Sequence, residues 1–572
     1  MCGTCGCGLS PDERSKVERV KASSNHLRGA IAHELVDDAA EFSESSAQLL
    51  KFHGVYQQED RDRRKEARRL GLEKHHQMMV RTRVPGGIVS ADAYLAHHEV
   101  ATQWGNGTLR VTTRQDFQLH GVLKGNLRQS IRAINAALLT TLGGCGDVER
   151  NIMCCPAPFG DRLRDELAGV LPTLVAALQP ATGAYHEIWL DDEIVVTSAA
   201  REAEPLYGEQ YLPRKFKTAI ALEGDNCVDV HANDLGLVAF RDEEGGLGGF
   251  NVLVGGGLGR TRNKPETFAT VAVPIASVNA DEVVDVSRAV VTVQRDHGDR
   301  TDRRHARLKY LIADRGLAWF RDQIQERVSF SLRNPRDVRW PAVDDHLGWN
   351  RQADGTWFLG LYVENGRIDD RDEAELRTAL HRVVSTIRPA VRLTPQQNVL
   401  LCGLSDEQRV TAQSILESHG VRVNGSLHPV LRLAMACPAL PTCGLAVAES
   451  ERALPALIRE LADVIDGLGL RDAGISTRMT GCPNGCARPY LGDIGLVGTT
   501  LGKYDVFLGG DAQGTRLNEL FAAMVPLEQI TSVLRPVLEA YARDRNGGEG
   551  FGDWAHRHGV AQLQERFALV PA

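Results

Sequence analysis

Leu109-Arg-Val-Thr-Thr-Arg-Gln-Asp-Phe117 returns later in the chain as Val391-Arg-Leu-Thr-Pro-Gln-Gln-Asn-Val399. Working outward, Arg83-Val-Pro-Gly-Gly-Ile88 answers Tyr362-Val-Glu-Asn-Gly-Arg-Ile368 on the upstream side. Downstream, Met153-Cys-Cys-Pro-Ala157 answers Met435-Ala-Cys-Pro-Ala439 at the same offset. Asp234-Leu-Gly-Leu-Val238 then answers Asp493-Ile-Gly-Leu-Val497, and Phe250-Asn-Val-Leu-Val-Gly-Gly256 answers Tyr504-Asp-Val-Phe-Leu-Gly-Gly510. Matches kept in one order identify two homologous halves. Val80–Val84, Thr108–Thr112 and Phe117–Gly121 have the pattern of short strands, and Leu127–Leu142 has helical apolar spacing. That order predicts split β-α-β sheets in an α+β fold rather than a Rossmann unit.

A length of 572 residues exceeds one hydrophobic core and predicts about three domains. The net charge of −8 excludes a bulk basic surface for nucleic acid. The longest apolar stretch, 168–178, is interrupted by Pro172 and is too short to span a bilayer. Twelve cysteines without a secretory signal point to metal or redox chemistry in a reducing cytoplasm. Cys2, Cys5 and Cys7 lie in a leader for which terminal disorder is the default and chelation the alternative. The charge run Glu59–Arg69 is expected to be a solvated helix face.

The two halves carry different chemistry. Cys437-Pro-Ala-Leu-Pro-Thr-Cys443 and Cys482-Pro-Asn-Gly-Cys486 supply four soft ligands on turn-rich loops, a set suited to zinc or an iron–sulfur cluster. Cys155 occupies the place of Cys437, and no counterpart of the Cys482/Cys486 pair is expected in the first half. That half instead concentrates cations, in Arg81 and Arg83, Arg110 and Arg114, Arg150, and Arg214-Lys-Phe-Lys217. Arg110, Thr112 and Arg114 alternate, as do Lys215 and Lys217, so each set is predicted to share one strand face. A like-charged cluster calls for an anion, and one site at the interface of the halves follows. His120 is a candidate cofactor contact and His231 a structural residue. Val254-Gly-Gly-Gly-Leu-Gly259 fails the dinucleotide fingerprint, because arginine falls where the third glycine belongs and no helix signal follows. Electrons are therefore expected from another protein or subunit.

Cys-x5-Cys followed by Cys-x3-Cys, with Thr480-Gly-Cys-Pro-Asn-Gly-Cys486 around the last pair, resembles the sirohaem and 4Fe–4S sulfite and nitrite reductase family. The likeness runs from Asn25-His-Leu-Arg-Gly29 through Phe52-His-Gly-Val-Tyr-Gln-Gln58 to Gly547-Gly-Glu-Gly-Phe-Gly-Asp553, nearly the whole chain. The resemblance implies a duplicated, pseudo-twofold fold of three α/β domains with ferredoxin-like half-domains. The expected division is an N-terminal segment 1–76, half-domains 77–149 and 350–422 paired with each other, a sirohaem and substrate domain 150–349, and a cluster domain 423–572. It implies that Cys437, Cys443, Cys482 and Cys486 hold the cluster and that Cys486 also reaches the sirohaem iron. Arg83, Arg150, Lys215 and Lys217 match substrate cations, and Arg110, Thr112, Arg114, Gln118, His120 and Arg214 match positions near the sirohaem carboxylates. The implied reaction is six-electron reduction of sulfite to sulfide for cysteine synthesis, favoured over nitrite reduction by Lys217. The implied donor is an NADPH-dependent flavoprotein carrying FAD and FMN, with ferredoxin as the alternative. A non-catalytic four-cysteine metalloprotein is the reading from a different class.

Overall fold

The computed structural model describes residues 10–184, 204–340, 343–423 and 427–567. The Cys2, Cys5 and Cys7 leader lies outside the described residues. Two antiparallel five-stranded sheets embody the repeat. In the first, Val55–Glu59, His76–Arg81, Phe117–Val122 and Leu109–Val111 are followed at the edge by Arg367–Ile368 from the second half. In the other, Gly348–Arg351, Trp357–Leu361, Val399–Leu404 and Ala390–Leu393 are followed by Ile88–Val89 from the first half. Each half thus lends its edge strand to its twin. Arg367 pairs with Arg110 in one sheet, and Val89 pairs with Val391 in the other.

The repeated motif explains this exchange. Gln115 and Gln397 hold matching left-handed turns, with φ of 58° and 70°. The Gln115 amide donates to the Leu393 carbonyl at 2.8 Å, and the Gln397 amide donates to the Val111 carbonyl at 3.4 Å. Gly87 and Gly366 approach the same two carbonyls so closely that a Cβ would sit 2.3 and 2.2 Å from them. Only glycine tolerates that approach at positive φ.

Two further mixed sheets repeat one topology. Met153–Cys154, Thr218–Leu222 and Leu235–Arg241 run parallel, then Leu247–Val254 and Val273–Asn279 return antiparallel. Met435–Ala436, Thr477–Thr480, Ile494–Thr500, Lys503–Leu508 and Glu519–Pro526 do the same. Amphipathic helices cover them. Arg162–Leu178 starts at an Asp161 cap and buries Leu163, Leu167, Leu171, Leu174 and Leu178 along one stripe. Among the described residues, no helix is long and apolar enough to cross a membrane.

Two local expectations change, and one further strand appears. The helix at Leu127 ends at Ala136 although apolar spacing continues, because Leu138 turns to φ 61° and is 94% exposed. Val55–Glu59, in the N-terminal segment, is a strand that pairs with His76–Arg81. Arg110, Thr112 and Arg114 do not share a strand face, because the strand stops at Val111. Thr112 Oγ1 accepts from the Arg114 and Asp116 amides and closes a turn that sends the two arginines in different directions. The charge run is a solvated helix only over Arg64–Arg69, which buries no residue; Glu59 ends a strand and Arg61 is part-buried against the second half.

Arg110 points to the seam between the halves. Its guanidinium donates to Glu451, to the Asn365 carbonyl and to the Ala436 carbonyl. Arg367 grips the other oxygen of Glu451 at 2.7 Å. Burial pushes the Glu451 carboxyl up, but Arg110 and Arg367 outweigh it and hold the group at about 2. Its contribution to stability is therefore present above the ordinary carboxylate range and lost as pH falls toward 2. Glu451→Gln should strand two buried guanidiniums and cost about 3–5 kcal/mol. Thermal melts from pH 7 to pH 3 should show the gap between wild type and variant narrowing on acidification. A constant gap would refute the ion-pair account.

Candidate anion and metal site

The end of the parallel strands decides where the cysteines and cations meet. Leu235–Arg241 and Ile494–Thr500 are each preceded by a short 3-10 turn, headed by Asp229 and Arg488 in left-handed conformation. Arg488 donates through Nε to Asp229, which also takes a 2.8 Å bond from Arg478. Its Nη atoms reach the Thr113 and Pro395 carbonyls at 2.8 and 2.9 Å. Thr113 in turn donates to the Cys486 carbonyl at 2.9 Å. A buried Arg–Asp–Arg pin and the repeat turn of the first half therefore fix the Cys486 loop. Gly485 makes that loop possible. Its φ is 67°, and a Cβ there would come within 3.2 Å of Leu258.

The four cysteines of the second half act on one another electrostatically. Burial raises the Cys437 and Cys443 thiols, and Cys486 raises both further. Cys482 is pushed up to about 12 by burial, with Cys486 and Cys443 adding to the shift. Thiols so placed favour a cation that takes them as thiolates. Cys437 Sγ accepts from the Gly481 amide, and Arg61 of the N-terminal segment donates to the Cys443 and Ala446 carbonyls.

Cys486 is exposed, and it lines one cleft with Arg114, Lys215, Lys217, Arg307 and Asn484. Phe216 is buried between the two lysines, so Lys215 and Lys217 project to one face as the alternation predicts. Neither ammonium makes an ion pair or hydrogen bond among the described residues. Burial lowers Lys215 to about 7, helped by Arg214 and Arg307. Lys217 is driven well below the ordinary lysine range by burial, then by Lys215, Arg114 and Arg307. Arg114 spends its guanidinium on neutral acceptors, the Asn151 and Thr218 carbonyls and Asn233 Oδ1. This cleft gathers cations around a thiol, an arrangement whose charge suits an anion.

The other predicted residues lie around it. Arg150 folds onto the Gly146 and Gly144 carbonyls, and Arg214 sits among Arg303, Asp147 and Arg307. Arg83 is buried, with Nε and Nη2 unpartnered among the described residues, and Glu149 is the charge that acts on it most strongly. Gln118 faces the Arg81 guanidinium with its amide. His120 is buried beside Arg367 and Arg110 and is held neutral by burial and by those cations. Arg110, Thr112 and His120 thus belong to the seam and its turn, not to the cleft. His231 Nδ1 pairs with the Ala272 carbonyl at 2.9 Å, a structural role.

Sequence reading missed several participants. Arg307 forks onto Asp234 through Nε and Nη2 at 3.0 and 2.7 Å, and its charge faces both lysines. Asp116 and Glu149 sit buried among Arg81, Arg83, Arg114 and Arg150, and burial raises each to about 7. The basic patch is therefore partly neutralised by the protein itself. Tyr56 lies beside Cys145 and Arg81. Gly256 packs against the Asn233 carbonyl of its own half and Gly259 against the Asn484 carbonyl of the other, so the glycine run serves close backbone approach and no helix follows it.

One register correction follows from the turns. Asp229 and Arg488 stand at the offset that separates Asp234 from Asp493, which makes Cys227 the register equivalent of Cys486. The first half does retain a counterpart of one member of the Cys482/Cys486 pair. Glu223 stands at the Cys482 position.

Comparison with known proteins agrees with this architecture. The profile described as nitrite and sulphite reductase 4Fe-4S domain matches residues 173–332 and 431–569. The nitrite/sulfite reductase ferredoxin-like half domain matches 71–137 and 350–419. The chain is 43% identical over 550 residues to a hemoprotein beta-component of NADPH sulfite reductase from Paenibacillus sp. (strain JDR-2), covering 96% of each. It is 43% identical over 573 residues to a ferredoxin sulfite reductase from Synechococcus elongatus, covering 97% of this chain and 91% of that one. The solved structure of the Mycobacterium tuberculosis NirA protein superposes with a TM-score of 0.75 at 24% identity, over 95% of this chain and 96% of that one.

Proposed function

This chain belongs to the nitrite and sulfite reductase family, and from that premise we propose that it is a sulfite reductase haemoprotein. It reduces sulfite to sulfide with six electrons, in sulfur assimilation for cysteine synthesis. Cys486 carries the reading, because its charge acts on the Cys437, Cys443 and Cys482 thiols while its side chain lines the cleft with Lys215 and Lys217. Electron delivery and oxyanion binding thus meet at one residue.

The residues fit a 4Fe–4S cluster and a carboxylate-rich sirohaem. Four thiols that act on one another's charge and, among the described residues, two unpaired lysines and the orphaned donors of Arg83 are what such groups would satisfy. Cys437, Cys443, Cys482 and Cys486 would hold the cluster, and Cys486, which opens into the cleft, would also face the sirohaem. When bound, the pair supplies electrons to the substrate sulfur. The protein supplies the rest. Lys215 and Lys217 draw the oxyanion into the cleft, and the fixed charge of Arg114 and Arg307 orients it. Arg83 and Arg150 add charge behind them. Lys215, lowered to about 7, can hold and release a proton at Nζ near neutral pH, as each departing oxygen requires. Arginine stays charged and serves only to bind.

The donor we propose is an NADPH-dependent flavoprotein, with ferredoxin as the alternative, since relatives are named for each. Turnover of sulfite and nitrite, side by side with chemically reduced viologen, tests the reaction without the partner. Sulfide formation with the higher kcat/KM for sulfite is expected. A preference for nitrite would overturn the substrate and keep the fold.

A further inference from the structure

The cluster site has a pseudo-symmetric twin that none of the chemistry above uses. Cys155 stands at the repeat position of Cys437, and Cys227 at that of Cys486. Here the other two thiol positions are replaced in function by Asp225, two residues from Cys227, and by His346, which arrives on the segment leading into Gly348–Arg351. One ligand atom from each of the four lies within 4.8 Å of every other.

We propose that Cys155, Cys227, His346 and Asp225 form a second metal site, for a zinc-like divalent cation held by two sulfurs, one nitrogen and one oxygen. The geometry supports this directly. Zinc bonds of about 2.0–2.3 Å in a tetrahedron imply ligand–ligand edges of about 3.4–3.8 Å. Cys155 Sγ lies 3.2 Å from Asp225 Oδ2 and 3.7 Å from His346 Nε2, and His346 Nε2 lies 3.4 Å from Asp225 Oδ2. The surroundings orient each ligand. The free oxygen of Asp225 accepts from the Cys227 amide at 3.0 Å, and Gln396 donates to the Cys227 carbonyl at 2.6 Å. Among the described residues His346 Nδ1 has no hydrogen-bond partner, but Asp344 Oδ2 lies 3.6 Å away, the carboxylate–histidine arrangement common behind metal ligands. The His346 backbone is held at φ 56°, a conformation that a side chain tolerates only under tertiary constraint. Phe159 packs edge-on against the imidazole, and a cavity of about 360 Å³ opens beside Cys155 as an entry route. Two thiols, an imidazole and a carboxylate suit zinc better than magnesium or calcium, which prefer all-oxygen sets.

The test uses the full-length, iron-loaded protein, incubated with zinc chloride under argon and passed over a weak chelating resin. About one zinc per chain should remain, with zinc-edge X-ray absorption showing two sulfurs at ~2.3 Å and two lighter ligands at ~2.0–2.1 Å. Cys227→Ser and His346→Gln should each cut zinc retention at least ~10-fold with iron per chain unchanged, which reports an intact fold. Replacing Cys2, Cys5 and Cys7 by serine should leave retention unchanged. Three results would overturn the site. They are no zinc held by the wild type, retention indifferent to Cys227 and His346, or a Cys155–Cys227 disulfide in protein kept anaerobic throughout.

Discussion

Cys486→Ser is expected to cut sulfite turnover at least ~1000-fold, the scale on which loss of an essential group registers. The loop around Cys486 does not depend on its thiol. It is fixed by the Thr113 bond to the Cys486 carbonyl, by the Arg488 bonds to the Thr113 and Pro395 carbonyls, and by the buried Asp229 between Arg478 and Arg488. Serine preserves size and these contacts, so the thermal midpoint should stay near that of the wild type. What changes is the ligand, because a hard hydroxyl replaces the thiolate that faces both the cysteine cluster and the lysines. Steady-state sulfide production with reduced viologen, read beside iron per chain, separates chemistry from collapse. A variant that keeps more than about a tenth of wild-type turnover would remove Cys486 from the site.

The sequence revealed what depends on local order and spacing. The duplicated motif was legible because both copies solve one packing problem, with Gln115 and Gln397 each reaching the other half. The cysteine pairs were legible for a similar reason, since ligands from one loop sit close in sequence. Lys215 and Lys217 were readable from alternation alone. Arg110 was misread because alternation was extended past Val111, where Thr112 folds the chain into a turn. Its partner Glu451 is remote in sequence and lies between the two cysteine pairs, so no spacing rule connects them. Asp116 and Glu149 escaped for the opposite reason. They are single carboxylates in ordinary sequence, and only burial beside arginines, four around Asp116 and Arg114 with Arg83 at Glu149, gives them meaning. Cys227 was missed because its match to Cys486 rests on backbone turns at Asp229 and Arg488, whose side chains have opposite charge. The strand exchange between Ile88–Val89 and Arg367–Ile368 has no local signature, because either two-residue strand would suit its own half as well.

Lys217→Asn is expected to lower kcat/KM for sulfite about 100-fold, close to 2.7 kcal/mol of transition-state stabilisation, and to lower that for nitrite much less. The asymmetry follows from the two anions. Sulfite has more oxygens to hold and each must leave as water, so it asks more of the cations and proton donors in the cleft. Lys217 offers an ammonium without a partner among the described residues, in a site that Arg307 and Arg114 already make positive. Its own charge is disfavoured by burial and by those neighbours, and an entering oxyanion reverses that balance. Anion binding should therefore take up protons. Lys215 sets the window, since its charge is lost as pH rises through about 7 in the empty cleft. Nitrite, which stays fully ionised across this range, should bind progressively more weakly above neutral pH in the wild type. Lys215→Met should flatten that dependence. Lys217→Asn should keep it, because Lys215 still titrates against Arg214 and Arg307. Equal losses for sulfite and nitrite in Lys217→Asn would remove this lysine as the discriminating group. A pH dependence that survives in Lys215→Met would move the titrating cation elsewhere, with Lys309, lowered to about 7 by burial and Arg307, the next to test.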